Sequence, residues 1–207
     1  MSPSTSWEAF EDALTLTEVG AWTWDSTSGD VHWSDYLCEL LETQKDAAPP
    51  SLDELIERHA VDIFYTSPTA IRAFIDWGAE YPDRYDLSTL RLLGTVGEPI
   101  TPNSWRWLYE HVGDESCPVV DTWWQTETGG MMVTTLPGIG EMKPGSAGPP
   151  LPGIDARVVD NAGEEVEPGD AGYLTVNNPW PGMLRTLYKN DERFLNEYWR
   201  EYSDEEN

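Results

Sequence analysis

The stretch PVVDTWWQTETGG, residues 118–130, decides how the rest of the chain is read. PVVD is a short apolar run of buried-strand type. Two adjacent tryptophans follow it, then Gln125, Thr126 and Glu127, then two glycines. Bulky aromatics beside a hydroxyl and a carboxylate, ending in conformationally permissive residues, describe a shaped pocket facing a charged ligand. A buried strand end followed by a polar turn is the plainer alternative for these residues taken alone.

The sequence upstream favours the pocket. DIFY at 62–65 reads as a short apolar strand, and Ser67-Pro68 as an N-cap with proline at the first helical position. Ile71, Phe74, Ile75 and Trp77 keep helical spacing to Gly78. RLLGTV at 91–96 is the next strand, and Thr101-Pro102 opens a helix through Trp105, Leu108, Tyr109 and Val112 to Gly113. Strand, helix, strand, helix, strand predicts a partial parallel α/β sheet. Ligands of such sheets bind beyond the carboxyl ends of the strands. Gly97, Glu98 and Pro99 follow one strand directly and DTWWQTE follows the next, so both loaded stretches are expected at one sheet edge.

Downstream of 137 the chain turns to glycine, proline and short strands. ARVVD at 156–160, a NAG turn, EEV and YLTVN at 173–177 predict a small antiparallel β subdomain. PWPGMLRTLY at 179–188 reads as a further apolar strand, and DERFLNEYWREY at 191–202 as a helix before an acidic end.

The N-terminal part differs. Phe10, Leu14 and Val19 mark a short helix, and the aromatic alternation of GAWTW (20–24) and VHW (31–33) around STSG predicts a hairpin. Ser34-Asp35 caps a helix with Tyr36, Leu37, Leu40 and Leu41. His32 reads as a solvated side chain, since no second His or Cys gives it metal-ligand spacing. TQKDAAPPS at 43–51 breaks the periodicity, and Ser51 caps a helix through Leu52, Leu55, Ile56 and His59. The expected divisions are an N-terminal piece over 1–51, an α/β part over 52–136, a β-rich subdomain over 137–190 and an acidic helical tail over 191–207.

Composition bounds the function classes. Among 207 residues, 39% are hydrophobic and 11 are tryptophan, enough for a core. The formal net charge is −26, from 38 acidic and 12 basic residues. Such a chain repels nucleic acid and anionic membranes, and no apolar stretch is long enough to span a bilayer. A cation- or partner-binding acidic tail is one account of the acidity. The spread of Asp and Glu along the whole length favours the other, a halophilic surface whose self-repulsion salt screens. Cys38 and Cys117 lack C-x-x-C or Cys/His spacing and read as core thiols. MSPSTSWEAFEDA has no signal-peptide pattern, which points to a cytoplasmic protein.

Two resemblances sharpen these expectations. GAWTWDSTSGDVHWSDYLCELL (20–41) resembles the opening of a PAS sensor domain, with its aromatic hairpin, W-S and helix. From about Leu52 to about Tyr198 the chain resembles the acetyl-CoA synthetases, the AMP-forming acetate–CoA ligases of the adenylate-forming superfamily. The runs IFYTSPTAIRA, LRLLGTVGEP, CPVVDTWWQTETGG, KPGSAGPPLPG and NPWPGMLRTLY carry it.

That resemblance implies a reaction in which a carboxylate attacks the α-phosphate of ATP and coenzyme A then displaces AMP. It implies that Gly97, Glu98 and Pro99 pack on adenine, and that Asp121, Thr122, Trp123, Trp124, Gln125 and Thr126 contact the adenylate. Thr126 and Glu127 are the implied catalytic pair, the hydroxyl on phosphate and the carboxylate on Mg²⁺. Val96 and Trp124 match the acyl-pocket wall. Trp124 stands where relatives with larger substrates carry glycine, leaving room for acetate or propionate. Ser67 matches a small residue near coenzyme A, Trp123 reads equally as core, and Arg185 as a partner in a structural ion pair. The family's TSGSTGxPKG phosphate loop, TGD aspartate and catalytic lysine have no match here. A ligase fragment inactive by itself is therefore expected. A PAS-type module fused to a ligase remnant, and a chain completed by another polypeptide, are the alternatives.

Overall fold

The computed structural model describes residues 19–24, 31–43 and 51–200. The expected helix around Phe10 and Leu14 and the STSG turn lie outside them. The chain divides into two compact units, Met1–Val61 with Tyr85–Leu87, and Asp62–Arg84 with Ser88–Asn207.

In the first unit β1 (Trp22–Trp24) pairs antiparallel with β2 (Val31–Trp33), Trp22 facing Trp33. The hairpin runs into α1 (Asp35–Leu40) through Ser34, whose hydroxyl accepts from Leu37 N at 3.3 Å and from Ala21 N at 3.0 Å. One buried serine thus caps the helix and ties it to Ala21, the residue before β1. Helix α2 (Leu52–Arg58) starts at the Ser51 cap, and Arg58 donates to the carbonyls of Leu41 and Glu42 beyond α1. His32 is exposed.

The second unit is built on a four-stranded sheet, in the order β3 (Ile63–Thr66), β4 (Leu92–Val96), β5 (Val119–Trp123), β6 (Val133–Thr134). The first three strands are parallel, as the strand–helix alternation predicts, and β6 returns antiparallel along β5. Between β3 and β4 runs α3 (Pro68–Trp77), capped by the Ser67 hydroxyl on Ala70 N and ended at Gly78. Between β4 and β5 runs α4 (Pro102–Trp107), capped by Thr101. The periodicity predicts one helix to Val112. Instead Leu108–Val112 form a wider π turn, closed by Gly113 N on Leu108 O at 3.0 Å. The extra residue in the turn keeps both Leu108 and Val112 buried.

Ile71, Leu93, Leu108 and Val119 are at most 1% exposed and form the centre of the core with Trp105 and Ile100. Each such side chain contributes roughly 1.5–3 kcal/mol of burial. Trp105 also donates its indole N–H to Val119 O at 3.2 Å, so the helix is tied to the central strand by a polar bond as well.

Beyond the sheet, β7 (Ala156–Val159) and β8 (Tyr173–Val176) form an antiparallel pair, with Val159 bridging Glu165. The expected strand over 179–188 is not formed. Pro179 and Pro181 remove two ladder donors. The Trp180 indole N–H and the Leu184 N–H instead reach the carbonyls of Thr128 (2.7 Å) and Glu127 (2.9 Å), so the segment docks on the turn after β5. Helix α5 (Asp191–Tyr198) follows, capped by Asn190. Among the described residues no helix is long and apolar enough to cross a membrane.

Candidate functional site

Strands β4 and β5 end side by side, Thr95 opposite Asp121 and Val96 opposite Thr122. Gly97–Pro99 leaves the first and Trp123–Glu127 the second, so the two loaded stretches share one carboxyl edge, as the sequence predicts. At Gly97 the chain turns with φ +100°, a conformation that only glycine adopts without strain, and the space above it is open.

Hydroxyl groups brace this edge across the strands. Thr95, wholly buried, donates to Asp121 Oδ1 at 2.6 Å, and Thr122 donates to Thr95 O at 2.9 Å. With its proton committed there, Thr122 accepts from the Tyr65 hydroxyl on β3. The Tyr65 ring lies over Gly94, where a Cβ would sit 2.1 Å from it. Thr134 on β6 donates to Asp121 O at 2.8 Å. Burial pushes the Asp121 carboxyl above its ordinary range, against the opposing bonds from Thr95 and the backbone of Thr122 and Ile100. Burial likewise lifts the Tyr65 phenol, the bond to Thr122 counteracting and the Asp121 charge adding.

After β5 the chain makes a single 3-10 turn, Thr126–Thr128, ended by Gly129 in the left-handed region at φ +66°. Buried Thr128 organises the turn, accepting from Gln125 N at 2.9 Å with its hydroxyl 2.8 Å from the carbonyls of Gln125 and Gly130. The Thr126 side chain is exposed and makes no hydrogen bond to the described residues. Its neighbour Glu127 accepts from the Tyr198 hydroxyl on α5 at 2.9 Å through Oε1. Tyr198 is held above the usual phenol range, first by that bond, then by desolvation and the Glu127 charge.

The sequence-predicted residues fall into two groups. Val96, Gly97, Glu98, Pro99, Asp121 and Thr122 through Glu127 meet at the carboxyl edge of β4 and β5. Within it, Trp123 is half-buried and Trp124 is 46% exposed. Ser67 lies at the carboxyl end of β3, engaged as the cap of α3. Arg185 forms no ion pair among the described residues; it is exposed on the segment that docks through Trp180 and Leu184. Sequence reasoning misses Tyr65, Thr95, Thr128 and Tyr198. A polar Thr95 inside the apolar run LLGTV is the one available signal.

Glu98 is pinned from α3. Its carboxylate accepts from the Thr69 hydroxyl and from Arg72, whose nitrogen stands 3.0 and 3.2 Å from the two oxygens. These partners, Thr69 first and then Arg72, hold it below the usual carboxylate range. Among the described residues no group of three or more His, Cys, Asp or Glu could hold a metal. Glu127 nonetheless suits a hard cation that takes one carboxylate and completes its shell with water and phosphate oxygens, because Oε2 makes no bond to the described residues.

Known proteins resemble this chain in sequence and in fold. The family profile described as AMP-binding enzyme matches residues 40–188. An acetyl-coenzyme A synthetase of Rubrobacter xylanophilus is 60% identical over 151 residues, 73% of this chain and 23% of that protein. One of Rhodopirellula baltica is 45% identical over 204 residues, 88% of this chain and 30% of the relative. The chain thus spans under a third of the length of these curated relatives. The second match leaves uncovered fewer residues than the 1–51 piece contains, so it runs into that piece. The PAS-type alternative finds no support among these matches. In fold the chain is similar to the anthranilate CoA ligase AuaEII, solved with anthranoyl-AMP, at a TM-score of 0.62 and 23% identity, covering 84% of this chain and 33% of that one. A profile match over most of the length, on a sheet whose edge gathers the residues described above, makes this chain a member of the AMP-binding enzyme family, within the adenylate-forming superfamily.

Proposed function

We propose that the chain is the nucleotide- and acyl-contacting section of an AMP-forming acetate–CoA ligase. The observation that carries this reading is the register of β4 against β5, which sets Gly97–Pro99 beside Asp121–Glu127 on one carboxyl edge. In this reading Gly97–Pro99 lies against adenine, with the open space above Gly97 admitting a planar base. Asp121 through Thr126 contact the adenylate, and the exposed Thr126 hydroxyl donates to a phosphate oxygen. Glu127 would hold Mg²⁺ through its Oε2. A bound Mg²⁺ supplies charge neutralisation at the phosphates. Val96 and Trp124 border the acyl group, and Ser67 lies toward coenzyme A.

The chemistry needs no covalent nucleophile from the protein. An acetate oxygen bonds to the α-phosphorus as pyrophosphate leaves, and the coenzyme A sulfur then bonds to the acyl carbon as AMP leaves. The contribution of these residues is to position the reactants and to stabilise charge. In this reading the phosphate-loop and lysine functions of the superfamily complete the site.

The test is titration of the chain, in molar KCl, with AMP and with non-hydrolysable acyl-adenylate analogues of increasing acyl length, read by tryptophan fluorescence. Saturable binding of AMP and of the acetyl-sized analogue is expected, with longer analogues excluded. Trp124→Gly should admit the longer analogues, moving the size limit upward relative to whatever change it makes in AMP affinity. No saturable AMP binding, or an unchanged size preference in Trp124→Gly, would sink the proposal.

A further inference from the structure

The Gly97–Pro99 loop is not free to choose its shape, because α3 holds it. Glu98 leaves the end of β4 and meets two side chains from the first turns of the neighbouring helix, Thr69 and Arg72. The hydrogens close the triangle without a remainder. One Arg72 nitrogen donates to Thr69 Oγ1 at 2.7 Å and, with its other hydrogen, toward Glu98 at 3.0 and 3.2 Å. Thr69, accepting from Arg72, gives its own proton to Glu98.

An isolated surface ion pair contributes little, and this one is 36–46% exposed. A closed triangle of hydrogen bonds, with a hydrogen from Thr69 and one from Arg72 on the same carboxylate, fixes its position in a way that a lone pair does not. The helix end that supplies them is itself fixed, by Ser67 and Pro68 at its start and by Ile71, wholly buried, between Thr69 and Arg72. Gly97, immediately before Glu98, has the backbone freedom to swing the loop away. A flexible residue beside an anchored one makes a loop whose shape depends on the anchor.

We propose that Arg72 and Thr69 are positioning residues for the nucleotide loop: by pinning Glu98 they hold residues 97–99 in the conformation that receives the base. This rests on the reading of that loop as the adenine contact. The role predicts a selective defect. Removing the anchor should weaken the part of binding that depends on the base and leave the phosphate-dependent part intact.

The experiment compares the full chain with Arg72→Ala, Thr69→Val and Arg72→Lys. Two readouts are taken: amide hydrogen exchange across 96–100, and affinities for AMP and for ribose 5-phosphate, which lacks the base. Amides of β4 and β5 serve as the internal control for intact folding. In Arg72→Ala, exchange at 97–100 should rise roughly tenfold and AMP affinity should fall by a similar factor. Ribose 5-phosphate affinity and the strand amides should not change, and Arg72→Lys should recover part of the loss. Unchanged exchange at 97–100 beside intact AMP binding overturns the clamp alone. Equal weakening of AMP and ribose 5-phosphate, or accelerated exchange throughout β4 and β5, overturns it in favour of a merely structural role. Failure of the unaltered chain to bind AMP overturns the nucleotide assignment, and this role with it.

Discussion

The Tyr65 hydroxyl on β3 bonds to the Thr122 hydroxyl on β5, passing over the intervening strand at Gly94. The absence of a side chain at Gly94 is what makes the crossing possible. A Cβ there would stand 2.1 Å from the ring, so Gly94→Ala must displace Tyr65 or the strand. Overpacking of this kind costs about 1–3 kcal/mol. Urea unfolding should show Gly94→Ala destabilised by about that much and Tyr65→Phe by only about 1 kcal/mol, since Thr122 keeps its bond to Thr95. Equal stability of Gly94→Ala and the parent would count against this packing.

The turn after β5 depends on Gly129 in the same spatial sense. Its left-handed φ is strained for other residues, and a Cβ would stand 2.3 Å from Gly182 O. Gly129→Ala should release the 180–184 segment from the turn and lower stability by about 1–3 kcal/mol. Limited proteolysis should then cut near 180–188 faster than in the parent. Trp180→Phe, which loses only the indole bond to Thr128 O, should lie between the two. An unaltered cleavage pattern in Gly129→Ala would refute the docking.

Asp121 gives a pH prediction with a definite sign. Burial raises its native pKa above the ordinary 3.8, so the native state binds this proton more tightly than the unfolded chain does. Between 3.8 and the raised native value, stability falls as pH rises, and above that window the cost of burying the charge is present in full. Asp121→Asn keeps an acceptor for Thr95 and removes the charge. It should unfold at higher urea concentration than the parent at neutral pH, with a flatter profile through the window. Glu98 and Asp155, whose values are lowered, act oppositely: their contributions persist above their ordinary pKa and are lost as pH falls through the native value. Parallel profiles for Asp121→Asn and the parent would contradict the buried-charge account.

A net charge of −26 on 207 residues makes stability depend on ionic strength. The Debye length shortens from about 10 Å at 0.1 M salt to about 3 Å at 1 M, so self-repulsion should be largely screened across that range. Tm should climb steadily with KCl, and at equal ionic strength NaCl should match it. A flat response would mean that the charges are already compensated by the fold.

The sheet and its edge were legible because their signals are local. Ser67-Pro68 and Thr101-Pro102 announce helix starts by chemistry that operates within four residues. The apolar runs between them can only be strands at that length, and alternation with helices then forces the parallel arrangement. What could not be read is set by partners far away in sequence. β6 is only two residues long and exists because Thr134 finds Asp121 O and Leu151 N finds Met132 O. PWPGMLRTLY has strand-like composition, yet its donors go to the turn at 127–128, with Trp180 lying 52 residues from Thr128. Thr95 and Tyr65 look like ordinary strand residues until the register sets them against Asp121 and Thr122. Nothing local marks Arg72, because Glu98, its partner, lies 26 residues away.

The hydroxyls of Tyr65, Thr122, Thr95 and Thr134 bond from strand to strand, to one another, to the carbonyls of Thr95 and Asp121 and to the Asp121 carboxylate. A parallel ladder resists strands being pulled apart, but it is compliant when one strand slides along the next. The crosswise bonds oppose that sliding at the end of the sheet from which the loops emerge. Mechanically, the edge is a plate rather than a row of independent rods: a load applied to the segment after β5 is shared with the segment after β4. Whatever shifts the end of β4 therefore shifts the end of β5 with it.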